Sequence, residues 1–256
     1  MKALVQKLYL ILVYGLLYFP ILVLITYSVN NARFSLLWVG FSTRWYTELL
    51  SDQGLWSALF HSVYLGLTAA CFATLAGLLA CVHLFLHQDH KRYRSFFHML
   101  LILIILPDLV FGVALLIFFN ITDIPLGFWS LAIAHITFCI PFVVLTINSR
   151  IHTLDKNIYS AALDLGASRF RTLTHVLFPL LLPAIASAFL LCFTLSFDDV
   201  LISYFVAGPD FNILPLTIYS LVRAGVTPEL NALCTVTFLF SMLLVISAYG
   251  LSRKSS

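Results

Sequence analysis

Residues 128–148 read FWSLAIAHITFCIPFVVLTIN, twenty-one positions from Phe128 to Asn148 without one Asp, Glu, Lys or Arg. At about 1.5 Å per residue, a helix of that length crosses a bilayer core of about 30 Å. Apolar and polar residues do not alternate as they would in a strand, and the run is too long for a barrel strand. A helix, which satisfies its backbone groups internally, is the remaining way to span. Comparable runs lie at about 8–29, 58–86, 98–119, 180–206 and 230–252. The chain is therefore expected to be an all-α integral membrane protein, one transmembrane domain over residues 1–256 with six transmembrane helices. Composition agrees: 61% hydrophobic and 10% charged residues, with a mean hydropathy of +1.02. Soluble chains carry about 25% charged residues, so a large soluble domain is excluded. The first run follows Lys2 and Lys7 as a secretory signal would, yet contains Pro20 and ends in Ser28-Val29-Asn30 without a small-x-small cleavage pattern. It is expected to remain as the first helix.

Charge sets the expected orientation. With the N-terminus inside, Lys2, Lys7, Lys91, Arg92, Arg94, Arg150, Lys156, Arg169, Arg171, Arg253 and Lys254 fall on the inner side, against Arg33, Arg44 and Arg223 outside. The positive-inside rule then places both termini in the cytoplasm. The net charge of +3 is a topology signal, and the basic patches with interleaved aromatics that suit nucleic acid are missing. Cys71, Cys81, Cys139, Cys192 and Cys234 sit singly in apolar runs, which speaks against a disulfide framework or zinc site and for small buried hydrophobes.

The inner segment 150–179 is too polar to span and too patterned for a linker. Ala161, Ala162, Leu163 and Leu165 favour helix, Gly166 interrupts it, and a second amphipathic run from Phe170 to Leu177 is expected to end before Pro179. Helix, break and helix make either an interfacial connector or a rigid knob for a soluble partner.

Ser160-Ala161-Ala162, Asp164-Leu165-Gly166-Ala167 and Val176-Leu177-Phe178-Pro179 resemble the EAA motif of membrane subunits of binding-protein-dependent ABC importers. Ser160 stands where that family usually has glutamate, and Phe178 where it usually has leucine. The resemblance implies coupling helices that seat in a cleft of a cytoplasmic ATPase, with Ser160, Ala161, Ala162, Asp164, Gly166, Ala167, Ser168 and Arg169 at the contact. Further stretches, among them Gly127-Phe128-Trp129-Ser130-Leu131, Phe193-Thr194-Leu195-Ser196-Phe197-Asp198-Asp199-Val200 and Phe205-Val206-Ala207-Gly208-Pro209, look like the PotC-type family of spermidine/putrescine permeases. That family implies a type I ABC importer permease fold in a bacterial inner membrane. It also implies a PotB-like second permease subunit, two copies of an ABC ATPase and a periplasmic polyamine-binding protein. The chain would be non-catalytic and bind no cofactor, with ATP and magnesium on the partner ATPase. It contains no GxxxxGK[ST] phosphate loop of its own.

Three acids fall within the expected spans: Asp108 after Pro107, and the adjacent pair Asp198-Asp199. A charge near the bilayer centre costs about 2.5–3.5 kcal/mol on insertion scales, so each acid needs a compensating role. Residue counting puts Asp108 near the midplane and Asp198 in the outer half. One reading is structural, with the acids satisfying a kink or holding a neighbouring helix. The other is a pathway, since no Lys or Arg accompanies them within the spans and the counter-charge must be a partner chain, a proton or a cationic substrate. Adjacent helical residues point about 100° apart, so one of Asp198 and Asp199 would face the channel at a time; Ser196 is a weaker candidate. If the substrate is a polyamine, as the resemblance implies, aromatic faces join the carboxylates. Trp45 and Tyr46 in the first outer loop are then candidates, with interfacial anchoring as their other reading.

His83, His87 and His90 follow helical spacing but merge into a basic run, with Asp89 their one carboxylate, and no metal site is expected. His61 and His135 are read as helix-to-helix hydrogen-bond residues. The competing functions are import of another small organic cation or solute, a proton-coupled carrier in which Asp108 and Asp198 relay protons, and a membrane scaffold. The inner knob and the lack of a visible inverted repeat oppose the carrier.

Overall fold

Each apolar run is helical over most of its length in the computed structural model, which describes residues 2–32, 37–87, 91–155 and 157–254, leaving aside the side chains of 2–5, 91–94, 241 and 243–254. Arg33, Asp89, His90 and Lys156, which enter the charge and metal readings, lie outside the described residues. In chain order the helices are α1 (Lys2–Ser28), α2 (Arg44–Ser51), α3 (Gln53–Leu86), α4 (Lys91–Ile105), α5 (Asp108–Ile121) and α6 (Phe128–Thr153). There follow α7 (Asn157–Asp164), α8 (Arg169–Thr172), a π turn (Leu173–Leu177), α9 (Phe178–Phe197), α10 (Leu201–Val206), α11 (Leu214–Ala224) and α12 (Pro228–Lys254). Four described segments are long and apolar enough to cross a bilayer: Gln6–Ser28, Gln53–Leu86, Phe128–Thr153 and Arg169–Phe197. A bent pair, Ser95–Ile105 with Asp108–Ile121, makes a fifth if it acts as one span.

Three runs depart from the sequence expectation, each for a local reason. The run 98–119 is not one straight helix: α4 and α5 meet at 106°. Pro107 has no N–H and adopts φ −58°, ψ 132°, and its ring disfavours helical backbone at Leu106. The run 180–206 divides into α9 and α10 without proline or glycine at the break. There the Asp199 carboxylate accepts the N–H of Ile202 at 3.3 Å and of Ser203 at 2.7 Å, so a fresh helix starts on a side-chain cap. The run from Phe170 does not stop before Pro179. It passes through the π turn into α9, with the Phe178 N–H donating to the Leu173 carbonyl five residues back, a wider turn that absorbs the missing proline donor.

The chain divides into two compact units, Ala58–Leu216 and the remainder on either side of it. In the flanking unit α1 packs on α12, and α12 on α2. In the central unit α6 packs on α9, and α5 on α10. Its seam is built of small residues: Ala70, Ala73 and Cys81 of α3 meet Cys139 and Val143 of α6 and Ala188 and Cys192 of α9. In lipid such close packing replaces the hydrophobic drive that a water-soluble core would have. Gly77 marks the tightest approach there, since a Cβ on it would lie 2.6 Å from Val143. Cys81, Cys139 and Cys192 are buried as expected, whereas Cys71 is exposed and Cys234 half-buried.

Candidate functional site

The two broken runs of the central unit meet. Asp108 begins α5 directly after the Pro107 bend, Asp198 closes α9, and Asp199 opens the short α10. All three acids line one cavity of about 320 Å³, with Phe138, Thr194 and Leu195 among the other walls. The depth expected from counting, midplane for Asp108 and outer half for Asp198, does not separate them. Across a 106° bend residue number no longer measures distance along one axis.

The three carboxylates are held differently. Asp199 is 8% exposed at its side chain, and its oxygens take the α10 N–H groups and the Ser203 hydroxyl at 2.8 Å. Asp198 is exposed and makes no side-chain hydrogen bond among those described, while its N–H donates to the Thr194 carbonyl at 3.0 Å. The last carbonyls of α9 are the negative end of that helix and sit beside the same carboxylate. Asp108 is half-buried in the first turn of α5, where the helix dipole favours a negative charge. No Lys or Arg lines the cavity. A concave space with two available carboxylates, a carbonyl helix end and the Phe138 ring favours a cation with an apolar body.

Ser196 does not open onto this space. It is buried at 2% exposure, and its hydroxyl meets His135 Nδ1 at 2.6 Å. His135, 1% exposed, meets Ser203 at 3.0 Å and lies 3.6 Å from Asp199 through Nε2. The histidine thus joins α6 to α9 and α10, the helix-to-helix role read from sequence. Ser196, Asp199 and Ser203 recur at i, i+3 and i+7, a one-face spacing that could have exposed the cluster earlier. His61 instead ties α3 to the segment between α10 and α11, bonding the Asn212 carbonyl at 2.9 Å and stacking on Phe211.

Trp45 and Tyr46 fasten α2 to the end of α1. Trp45 Nε1 donates to the Asn30 carbonyl at 2.9 Å, and the Tyr46 hydroxyl meets Ser28 at 2.6 Å. Both polar groups are thus engaged within the flanking unit, by bonds that join α2 to the end of α1.

The segment 157–178 is the expected helix, break and helix. Gly166 turns the chain at φ +85°, a left-handed conformation that suits glycine. Ser168 caps α8 by accepting the Arg171 N–H at 3.3 Å. Ser160, Ala161, Asp164 and Arg169 are exposed, Ala162 and Ala167 half-buried. Leu165 and Phe170, 89% and 76% exposed, flank the break. Both are large apolar side chains left bare on either side of the Gly166 turn. Sequence reasoning looked at the small residues and passed over this pair. Ser160 and Arg169 also border a cavity of about 850 Å³ with His98, His152 and Tyr159; it holds none of the three acids.

Comparison with known proteins places these features in a family. Residues 62–254 match the model of the binding-protein-dependent transport system inner membrane component. The chain is 44% identical over 245 residues to the spermidine/putrescine transport system permease protein PotC of Escherichia coli K12, covering 95% of this chain and 92% of that protein. The PotC protein of Haemophilus influenzae is likewise 44% identical, over 97% and 96% of the two chains. The putrescine transport system permease protein PotI of Escherichia coli K12 is 38% identical, over 89% and 83%. Among solved structures, a bacterial ABC transporter involved in import of the acidic polysaccharide alginate superposes with TM-score 0.72 at 16% identity, over 99% of this chain and 95% of that one. The inward-facing MetNI methionine ABC transporter gives TM-score 0.70 at 16% identity, over 80% and 99%. The all-helical fold is that of ABC importer permeases, and the chain belongs to the binding-protein-dependent transport system inner membrane components, among their PotC-type permeases.

Proposed function

We propose that this chain forms half of the translocation pathway of an ATP-driven importer of polyamines, spermidine and putrescine, in a bacterial inner membrane. The observation that carries the reading is the meeting of Asp108, Asp198 and Asp199 on one cavity without a lysine or arginine. The 44% identity to the PotC proteins supports the choice of cation. An ammonium group offers three donors, which the Asp198 carboxylate and the carbonyl end of α9 accept. Methylenes of the substrate lie along Phe138, Leu195 and Leu201, and a second ammonium reaches Asp108. The charge of Asp199 adds to the field while its oxygens remain on the α10 cap.

Six spans with both termini in the cytoplasm complete the reading, as do a PotB-like partner half, two ATPase copies carrying ATP and magnesium, and a periplasmic binding protein that delivers substrate. The ATPase takes hold of the 157–178 knob, and its closure moves the helices as rigid bodies to alternate access. The chain performs no catalysis. The test is reconstitution of the full complex in vesicles, with uptake of spermidine and putrescine followed at constant ATP. Uptake that needs ATP and survives a proton uncoupler supports the reading. Uptake abolished by the uncoupler at constant ATP replaces it with a proton-coupled carrier.

A further inference from the structure

The geometry points to His135 as a positioning residue that sets the spacing between Asp108 and Asp198, and thereby the spacing of ammonium groups that the cavity accepts. This inference rests on the polyamine reading above and adds a determinant of selectivity to it. The two acids available to substrate stand on different helix pairs. Asp108 opens α5, which packs on α10; a Cβ on Gly112 of α5 would lie 2.9 Å from Phe205 and 3.3 Å from the Ile202 Cα. Asp198 closes α9, which packs on α6. The distance between them therefore follows how α10 is fixed to α6 and α9.

His135 makes that connection. The Ser203 hydroxyl spends its hydrogen on Asp199 at 2.8 Å, so it accepts from His135 Nε2–H at 3.0 Å. In the neutral imidazole Nδ1 is then the acceptor and takes the Ser196 hydroxyl at 2.6 Å. One imidazole thus holds the last turn of α9 and the first turn of α10 on either side of the break. At the far end of α10 the Ser130 hydroxyl donates to the Val206 carbonyl at 2.8 Å, so α10 is pinned to α6 at both ends. A neutral imidazole in one tautomer fills every polar position of this buried site, and an apolar side chain would leave Ser196 without its partner. Loss of the tie lets α10, and α5 with it, shift against α9.

The experiment uses the full complex with one binding protein throughout and compares half-saturating concentrations for spermidine and putrescine. Ser203→Ala and His135→Leu are expected to change the spermidine-to-putrescine ratio by about threefold to tenfold, the span of one ordinary hydrogen bond, at matched membrane abundance. His135→Gln, which offers one acceptor and one donor across a similar width, keeps the ratio near that of the parent. Gly77→Ala, a packing change in the α3–α6 seam, lowers abundance and leaves the ratio alone. If His135→Leu fails to assemble, Ser203→Ala and Ser196→Ala carry the comparison. An unchanged ratio in the serine variants, or a shift in His135→Gln as large as theirs, overturns the proposal while the polyamine reading stands. A parent complex that imports neither amine overturns the polyamine reading and this inference together.

Discussion

Asp198 and Asp199 are neighbours in the chain and opposites in the fold. Asp199 turns inward to take the N–H groups of Ile202 and Ser203, while Asp198 stands exposed at the α9 terminus with no side-chain hydrogen bond described. Removal of the cap is predicted to act on stability first. Asp199→Ala should cost about 0.5–2 kcal/mol, the range for helix caps, and lower the melting midpoint of the detergent-purified protein. A midpoint equal to the parent's would mean that the cap contributes nothing.

Gly166 is predicted to be intolerant for a conformational reason. At φ +85° an L side chain costs about 1–2 kcal/mol, and proline cannot adopt that angle at all. Gly166→Pro should leave the chain inserted but reduce co-purification with its ATPase; a bulky residue at Ala162 should do the same. Wild-type association and uptake in both variants would remove the knob from the coupling role. Ser160→Glu, which restores the family's usual carboxylate, should leave assembly unchanged or improve it.

Gly208 tests the packing at the other end of the central unit. A Cβ there would fall 2.1 Å from the Leu126 carbonyl oxygen and 2.8 Å from the Gly127 nitrogen, backbone atoms that cannot swing away. Gly208→Ala should destabilise the protein by about 1–3 kcal/mol, as overpacking does, visible as earlier aggregation on heating in detergent. Unaltered heat resistance would show that the two loops do not meet as described.

Glu229, just ahead of the apolar run 230–252, predicts a pH dependence. Partial burial pushes its carboxyl pKa up, and nearby Glu48 and Asp52 push it further in the same direction. The folded state therefore holds this proton more tightly than the unfolded chain does. The resulting stability is full below the ordinary glutamate range and lost as pH rises through the raised folded value. Glu229→Gln should flatten that part of a melting-midpoint profile and raise the midpoint at neutral pH. A profile identical to the parent's would contradict the assignment.

The helices were legible because apolar runs of this length leave few alternatives, and the Gly166 turn because left-handed backbone selects glycine. The breaks were legible unequally. Pro107 announced a disruption, though not a bend of 106°, whereas the α9–α10 break carries no proline or glycine and depends on where one aspartate finds its donors. The π turn hid for a related reason: Pro179 reads as a stop, and only a widened turn lets the helix continue past it. For the candidate site, sequence supplied the three acids but not their meeting, since Asp108 and Asp198 are brought together by helix packing across ninety positions. It also left Trp45 and Tyr46 open between substrate contact and interfacial anchoring, and gave no sign of their bonds to Asn30 and Ser28, which join residues fifteen or more positions apart.

The most direct measurement is uptake of labelled spermidine by the reconstituted complex carrying Asp198→Asn or Asp108→Asn, at equal membrane abundance and constant ATP. Asn keeps the volume and removes the charge, so loss of a charged hydrogen bond should lower transport efficiency about tenfold to a hundredfold without changing assembly with the ATPase. Undiminished uptake in both variants would contradict the claim that these carboxylates meet the substrate.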